Sequence, residues 1–309
     1  MRFLSVSARS RALAAIVLLG ASLLSACGLS SQPSTGGQVI QVVAAENFWG
    51  SIAAQVGGAH VRVTSIIRDP NSDPHSYEPT TQDARAFAEA SYVIVNGVGY
   101  DPWANALLQA NPVSGRRVLN IGDFLGKRAG DNPHLWYNPD YVARVVNKIR
   151  DDLKAIDPGD AAAFDRSAQA YLTTGLSQYH ALINTIKADY SGTPVGATES
   201  IFSYLAPALG LNLITPNSFM KAVSEGQEVS AADQATVQRQ IEEKQIRILV
   251  YNSQNTPTNI QTLISQARAV GIPVVTITET LTPANATFQA WQTRQLQGIL
   301  DALNQAAGK

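Results

Sequence analysis

Residues 39–67 read VIQVVAAENFWGSIAAQVGGAHVRVTSII. The run 39–44 is apolar, rich in β-branched residues and of strand length. Asn47 belongs to the residue types that cap helices, and Phe48, Trp49, Ile52 and Val56 then recur at helical spacing. Gly57-Gly58 ends that helix, because glycine accepts the left-handed backbone that closes helices. A second apolar run, 61–67, follows at once. A strand, a helix and a strand in so short a span form a βαβ unit, whose two strands run parallel.

The alternation continues. The reading gives a helix from Thr80 or Thr81 to Ala90, a strand at 92–96, a short helix at 102–109 and a strand at 118–121. Asn138-Pro139 pairs a capping residue with proline in the first helical position, and Tyr141, Val145, Val146, Ile149 and Leu153 form the buried stripe. The second half gives strands at 193–197, 213–215, 246–251 and 274–277. Its helices are at 200–209, from Ser230 to Glu243, at 257–270 and at 288–306, with a polar loop at 222–230. Between the halves, 160–189 has no proline and one glycine, Gly175, and carries an apolar stripe through Phe164, Ala168, Tyr171, Leu172, Leu176, Tyr179, Leu182, Ile183 and Ile186. A helix of ~30 residues is ~45 Å long, which suits a spine between two lobes, the other reading being two helices broken at Gly175. The expected fold class is α/β: two lobes, each a parallel sheet flanked by helices, joined by one long spine helix. The lobes are 39–158 and 191–309 and the spine is 159–190.

Residues 1–27 stand outside that fold. Arg2, Arg9 and Arg11 precede an apolar run, 12–24, too short to span a membrane comfortably. Leu24-Ser25-Ala26-Cys27 follows, and Cys27 is the single cysteine. This resembles a bacterial lipoprotein signal, with Cys27 as the lipidated first residue of the mature chain. It implies an extracytoplasmic protein, lipid-anchored to the bacterial cell membrane. With Cys27 so used there is no disulfide and no thiolate metal ligand. Residues 28–38 read as a flexible tether. The 309 residues carry a formal charge of −1 and 45% hydrophobic residues, room for two domains. With no basic cluster in the mature part, that charge argues against nucleic acid as a partner.

Two of the four histidines follow a proline in a polar setting. The stretches are Asp73-Pro74-His75-Ser76-Tyr77-Glu78-Pro79-Thr80 and Asn132-Pro133-His134-Leu135-Trp136. Proline stiffens the backbone on both sides, which suits ligands that must stay placed without their ion. Glu199 lies just past the 193–197 strand and Glu279 just past 274–277. His75 lies in the loop after 61–67. In open α/β sheets ligands bind beyond the carboxyl ends of strands. Two neutral imidazoles and two carboxylates balance a divalent cation. Each carboxylate also has an ordinary reading: Glu199 as a charge in a helical first turn, Glu279 as a solvated loop residue. His60 and His180 read as surface or structural, Trp103, Trp136 and Tyr137 as core or wall aromatics. Tyr77 and Glu78 are candidates for orienting His75.

These residues and the overall layout resemble the zinc/manganese/iron group of solute-binding proteins of ABC importers. The match is most specific at 73–80 and 132–136 and good at 197–204. The resemblance implies two lobes on one rigid helix with a metal between them, held by His75, His134, Glu199 and Glu279. The family usually carries Asp in the fourth place, where this chain has a glutamate one methylene longer. It also implies a membrane permease as partner, a monomer, and Mn²⁺, Zn²⁺ or Fe²⁺ as cargo. Carboxylate in the third place and a short 123–131 loop without histidine lean towards manganese, although zinc competes at almost any N/O site. The contrasting reading is a secreted metallohydrolase on the same His/Glu site. That needs an open coordination position and a nearby base, and neither a His-Glu-x-x-His pair nor a Gly-x-Ser-x-Gly turn occurs. The expectation is a carrier and not an enzyme.

Overall fold

Strands β1 (Ile40–Glu46) and β2 (Val61–Ile67) pair in parallel, with Val42 opposite Val63, as the opening βαβ reading requires. The computed structural model describes residues 39–72 and 74–309; the signal, lipobox and tether read at 1–38, with Cys27, and Asp73 lie outside them. β3 (Tyr92–Val95) and β4 (Arg117–Asn120) complete a parallel sheet in the order β2-β1-β3-β4. The second half builds β5 (Pro194–Ala197), β6 (Asn212–Leu213), β7 (Leu249–Asn252) and β8 (Val274–Ile277) in the order β6-β5-β7-β8. The two orders are the same winding repeated. Each sheet therefore has a point where the chain reverses, between β1 and β3 and between β5 and β7, and such points open a crevice at the strands' carboxyl ends.

Several local expectations change. Asn47 does not cap the first helix: Glu46 holds the cap position, and Asn47 Oδ1 accepts the backbone N–H of Leu281 from the other half (3.2 Å). The helix expected at 200–209 is a 3₁₀ turn, Ser200–Ser203, followed by one α-helical turn, Leu205–Ala208. Pro207 removes one backbone donor there. The expected loop at 222–230 begins inside a helix, Asn217–Ser224, that buries Phe219, Met220 and Val223. Elsewhere the caps hold. Thr80 and Asp83 form a reciprocal capping box, and Asn138 accepts from Asp140 and Tyr141.

The expected uninterrupted spine is two α-helices, Ala161–Ala170 and Ser177–Tyr190, joined by a π turn at Tyr171–Gly175. At the turn the Leu176 N–H bonds to the Tyr171 carbonyl (2.9 Å), five residues back, and His180 then resumes α-helical bonding to Leu176. The turn keeps Tyr171 and Leu176 both buried, while Leu172, four residues before Leu176, is only half-buried. Both sides of the stripe then stay buried. Gly175 is required at the turn, since a Cβ there would lie 2.9 Å from the Tyr171 ring.

One buried core runs through both halves, with Trp49, Trp136 and Trp291 packed within it. At its margin Asp152 is buried and accepts from Tyr92 Oη (3.0 Å), Arg117 (3.1 Å) and Lys148 (2.6 Å). Removing this carboxylate strands a buried phenol but leaves two cations that still reach water. Asp152→Ala is therefore expected to cost about 2 kcal/mol, less than the loss of a fully buried pair. Chemical denaturation checks it, and a loss below about 0.5 kcal/mol would mean the cluster is mere surface pairing.

Candidate metal site

The loops beyond the carboxyl ends of both sheets converge on one cleft. Glu199 and Glu279 each stand two residues past their strands, β5 and β8. His75 lies in the loop after β2, and His134 precedes a 3₁₀ turn, Leu135–Tyr137. His75 and Glu279 line a common cavity of about 400 Å³ together with Pro70, Ser224, Gln254 and Asn255. His75 also lines an adjoining cavity of about 440 Å³ with Pro133 and Ser200, the neighbours of His134 and Glu199. The environments differ: His134 and Glu199 are buried, Glu279 is half-buried and His75 is exposed. Among the described residues no three His, Cys, Asp or Glu side chains stand in the geometry of one ion's shell. His75 and Glu279 line the cleft, and the buried His134 and Glu199 lie behind its walls, next to the lining residues Pro133 and Ser200.

His134 is fixed most completely. Asn132 Nδ2 donates to the Ser200 carbonyl (2.6 Å), so the other amide atom is the oxygen. That oxygen accepts the His134 backbone N–H (3.0 Å) and faces His134 Nδ1 at 2.7 Å. Nδ1 therefore carries the hydrogen and Nε2 keeps the lone pair, the tautomer a metal needs. The ring packs edge-on against Tyr100 and Trp136. Burial, and then the nearby His75, lowers its pKa to about 3, so the imidazole is neutral at physiological pH.

Tyr100 is the hub of the cleft. Gly97, at φ +73°, lets the chain turn sharply after β3, and Asp101 accepts the N–H groups of Asn96 and Gly97 (2.7 and 2.8 Å). The buried Tyr100 ring thereby lies 4.9 Å from the His75 ring and 6.1 Å from His134. Its hydroxyl donates to Glu279 Oε2 (3.0 Å). Burial, then the Glu279 and Glu46 carboxylates, hold the phenol well above its ordinary pKa, so it stays a donor.

Neutral groups hold the carboxylates. Asn252 Nδ2 donates to Glu279 Oε1 (2.8 Å), and Asn255 Nδ2 to Glu199 Oε2 (3.0 Å), with Ser224 Oγ at 3.4 Å from the same oxygen. None of these donors cancels charge. Burial, then repulsion from Glu279, pushes the Glu199 pKa up to about 8. Glu199 Oε1 is buried and has no hydrogen-bond partner. A buried carboxylate oxygen without a donor carries a real desolvation cost, which an ion would relieve.

The other sequence candidates are placed too. His60 pairs with Asp160 (2.6 Å) and is structural, and Trp103, Trp136 and Tyr137 are buried. Tyr77 donates its hydroxyl to Asp83 (2.9 Å) in the capping box. Tyr137 Oη donates to the carbonyl of Thr278, next to Glu279 (2.7 Å), so it ties the His134 segment to the other half. Sequence reading missed Tyr100, Ser224, Gln254 and the asparagines at 132, 252 and 255. The run Asn252-Ser253-Gln254-Asn255 at a strand's carboxyl end was an available signal; nothing local marks Tyr100.

The fold is a two-sheet α/β protein whose strand-end loops meet at a polar cleft bearing histidine and carboxylate side chains. Residues 42–302 match the family described as zinc-uptake complex component A, periplasmic, and the chain belongs to that family, within the zinc/manganese/iron group of ABC-importer solute-binding proteins. It is 27% identical over 206 residues to the manganese-binding lipoprotein MntA of Halalkalibacterium halodurans, covering 64% of this chain and 68% of that one. It is 22% identical over 276 residues to the manganese ABC transporter substrate-binding lipoprotein PsaA of Streptococcus pneumoniae, covering 84% and 78%. The Mn-bound periplasmic metal binding protein from Candidatus Liberibacter asiaticus superposes with a TM-score of 0.69 at 20% identity, over 85% of this chain and 98% of that one. At that identity the superposition carries the fold.

Proposed function

We propose that the chain captures one divalent transition-metal ion between its halves, 39–158 and 191–309, through His75, His134, Glu199 and Glu279, and delivers it to an ABC-importer permease. It acts as a monomer outside the cytoplasm, lipid-anchored at Cys27, with the helical segment 159–190 as the link between halves. The observation that carries this reading is the buried Glu199, held by neutral donors with one oxygen left without a hydrogen bond, in the same cleft as a half-buried Glu279 and a histidine set in the metal-binding tautomer. Manganese is the favoured cargo, with zinc and iron as competitors; two carboxylates suit the harder ion, and MntA and PsaA are named for manganese. The named relatives are binding proteins, which supports a carrier over a hydrolase. For binding, His75 must swing from its exposed position, and Glu279 must exchange a hydrogen bond for the ion.

The test is calorimetric titration of the stripped full-length chain with Mn²⁺ and Zn²⁺. One tight site, lost in both His75→Ala and Glu279→Ala, is expected. No tight site for either ion sinks the proposal, and an ion held by three side chains and a reactive water would favour the hydrolase.

Asn132 gives a finer check. Asn132→Ala frees the His134 tautomer and should weaken binding by about 10- to 100-fold, while Asn132→Asp, which keeps the acceptor, should retain most of the affinity. Chelator competition measures both, and equal losses in the two variants would remove the tautomer argument.

A further inference from the structure

Gln254, in the loop after β7, is bonded to the segments that carry two of the proposed ligands. Its Oε1 accepts the backbone N–H groups of Glu279 (2.6 Å) and Thr280 (3.0 Å). Two backbone donors identify that atom as the carbonyl oxygen, so the other terminal atom is the amide nitrogen. That nitrogen donates to Thr280 Oγ1 (2.8 Å) and, across the cleft, to the backbone carbonyl of Pro70. Pro70 stands at the base of the loop that presents His75. The backbone N–H of Gln254 donates to Asn252 Oδ1 (2.9 Å), and Asn252 in turn holds Glu279 Oε1. On its own side the His75 loop is tied by Trp103, whose indole N–H donates to the Pro74 carbonyl (3.1 Å). The Gln254 bond is thus a tether from the opposite half, made by the same amide that positions the Glu279 backbone.

We propose that Gln254 is a positioning residue that latches the His75 loop to the Glu279 segment and so sets how fast bound metal leaves. The inference rests on the metal-carrier reading. An ion held by His75 and Glu279 and the Gln254–Pro70 hydrogen bond close the same ring of contacts, so each favours the other, and release requires both to open. The latch contributes no ligand atom. It acts on the rate of opening and leaves the ligand set unchanged.

The test uses the full-length chain loaded with Zn²⁺ and, separately, with Mn²⁺, and follows release into excess EDTA by stopped flow. Gln254→Met keeps length and removes both polar atoms. It should release metal roughly tenfold faster, the scale of one or two net hydrogen bonds. The visible spectrum of the Co²⁺-loaded form should be unchanged, because the ligands are. Hydrogen exchange should rise at 69–72, at 75–78 and at 279–280. Gln254→Glu separates the two roles: it keeps an acceptor for the Glu279 and Thr280 N–H groups and loses the donor to Pro70. It should also release quickly, with 279–280 still protected. Its added negative charge alone would slow loss of a cation, so fast release is assigned to the lost donor. Wild-type release rates in both variants, with one tight site intact in the wild type, would overturn the latch and leave the carrier reading standing. A wild type that takes up neither ion tightly would overturn both.

Discussion

Glu199→Gln is expected to weaken Mn²⁺ binding by roughly 100-fold or more and, in the same molecule, to make the metal-free protein more stable at neutral pH. The first effect follows from sharing a typical structural-site binding energy of about 10–16 kcal/mol among four ligands, which gives about 2.5–4 kcal/mol each. The amide keeps one oxygen but loses the charge. The second effect follows from burial. In the folded protein the Glu199 pKa lies at about 8 against an ordinary 4.5, with burial as the main cause and Glu279 second. The folded state therefore holds the proton more tightly than the unfolded state. Its contribution to stability is complete below about pH 4.5 and is lost as pH rises towards about 8. At neutral pH the penalty is on the order of 3 kcal/mol, worth roughly 6–12 °C in melting temperature for a protein of this size. The stripped wild type should thus melt lower at pH 8 than at pH 5, and the glutamine variant should flatten that slope. Melting curves of both proteins across this range decide it. A wild type with no slope attributable to Glu199 would show that its carboxylate is already neutralised without metal.

The two histidines should contribute unequally. His134→Ala is expected to cost roughly 10³-fold in affinity and His75→Ala roughly 10²-fold. His134 is already placed: it is buried, packed against Tyr100 and Trp136, and held in one tautomer by Asn132. Its binding energy goes almost wholly to the ion. His75 is exposed, and although its loop is tied by Trp103 and Gln254, turning its side chain to the ion subtracts about 1–2 kcal/mol from what its bond returns. Chelator competition on both alanine variants measures the difference. Equal losses, or a larger loss at His75, would mean that the His75 side chain is already set before metal enters.

The donors bonded to Glu199 are neutral, an amide and a hydroxyl. A lysine or arginine against Glu199 would satisfy it permanently and compete with an ion. Asn255 and Ser224 hold Glu199 without adding charge, so at neutral pH an arriving ion displaces only a proton from it. The result is a site that is costly to keep empty, which is the physical basis of the Glu199 prediction.

The sequence by itself determined what depends on neighbours a few residues apart. Strand–helix alternation specified two parallel sheets, and the caps at Thr80, Asn138 and Ser230 formed where their spacing required. The four candidate ligands could be chosen because each is a chemically distinctive residue beside a proline or just past a strand. Tertiary structure decided what depends on residues far apart in the chain. The Tyr100–Glu279 bond spans 179 positions and the Gln254–Pro70 bond 184. No local pattern encodes which asparagine or tyrosine meets which carboxylate, since a polar residue at the end of a strand is equally compatible with solvent. The π turn lies between the two cases. Its apolar stripe is written in the sequence, but Leu172 and Leu176 would also fit a regular helix, and only the packing of Tyr171, Leu176 and Tyr179 in one core selects the π-type hydrogen bond.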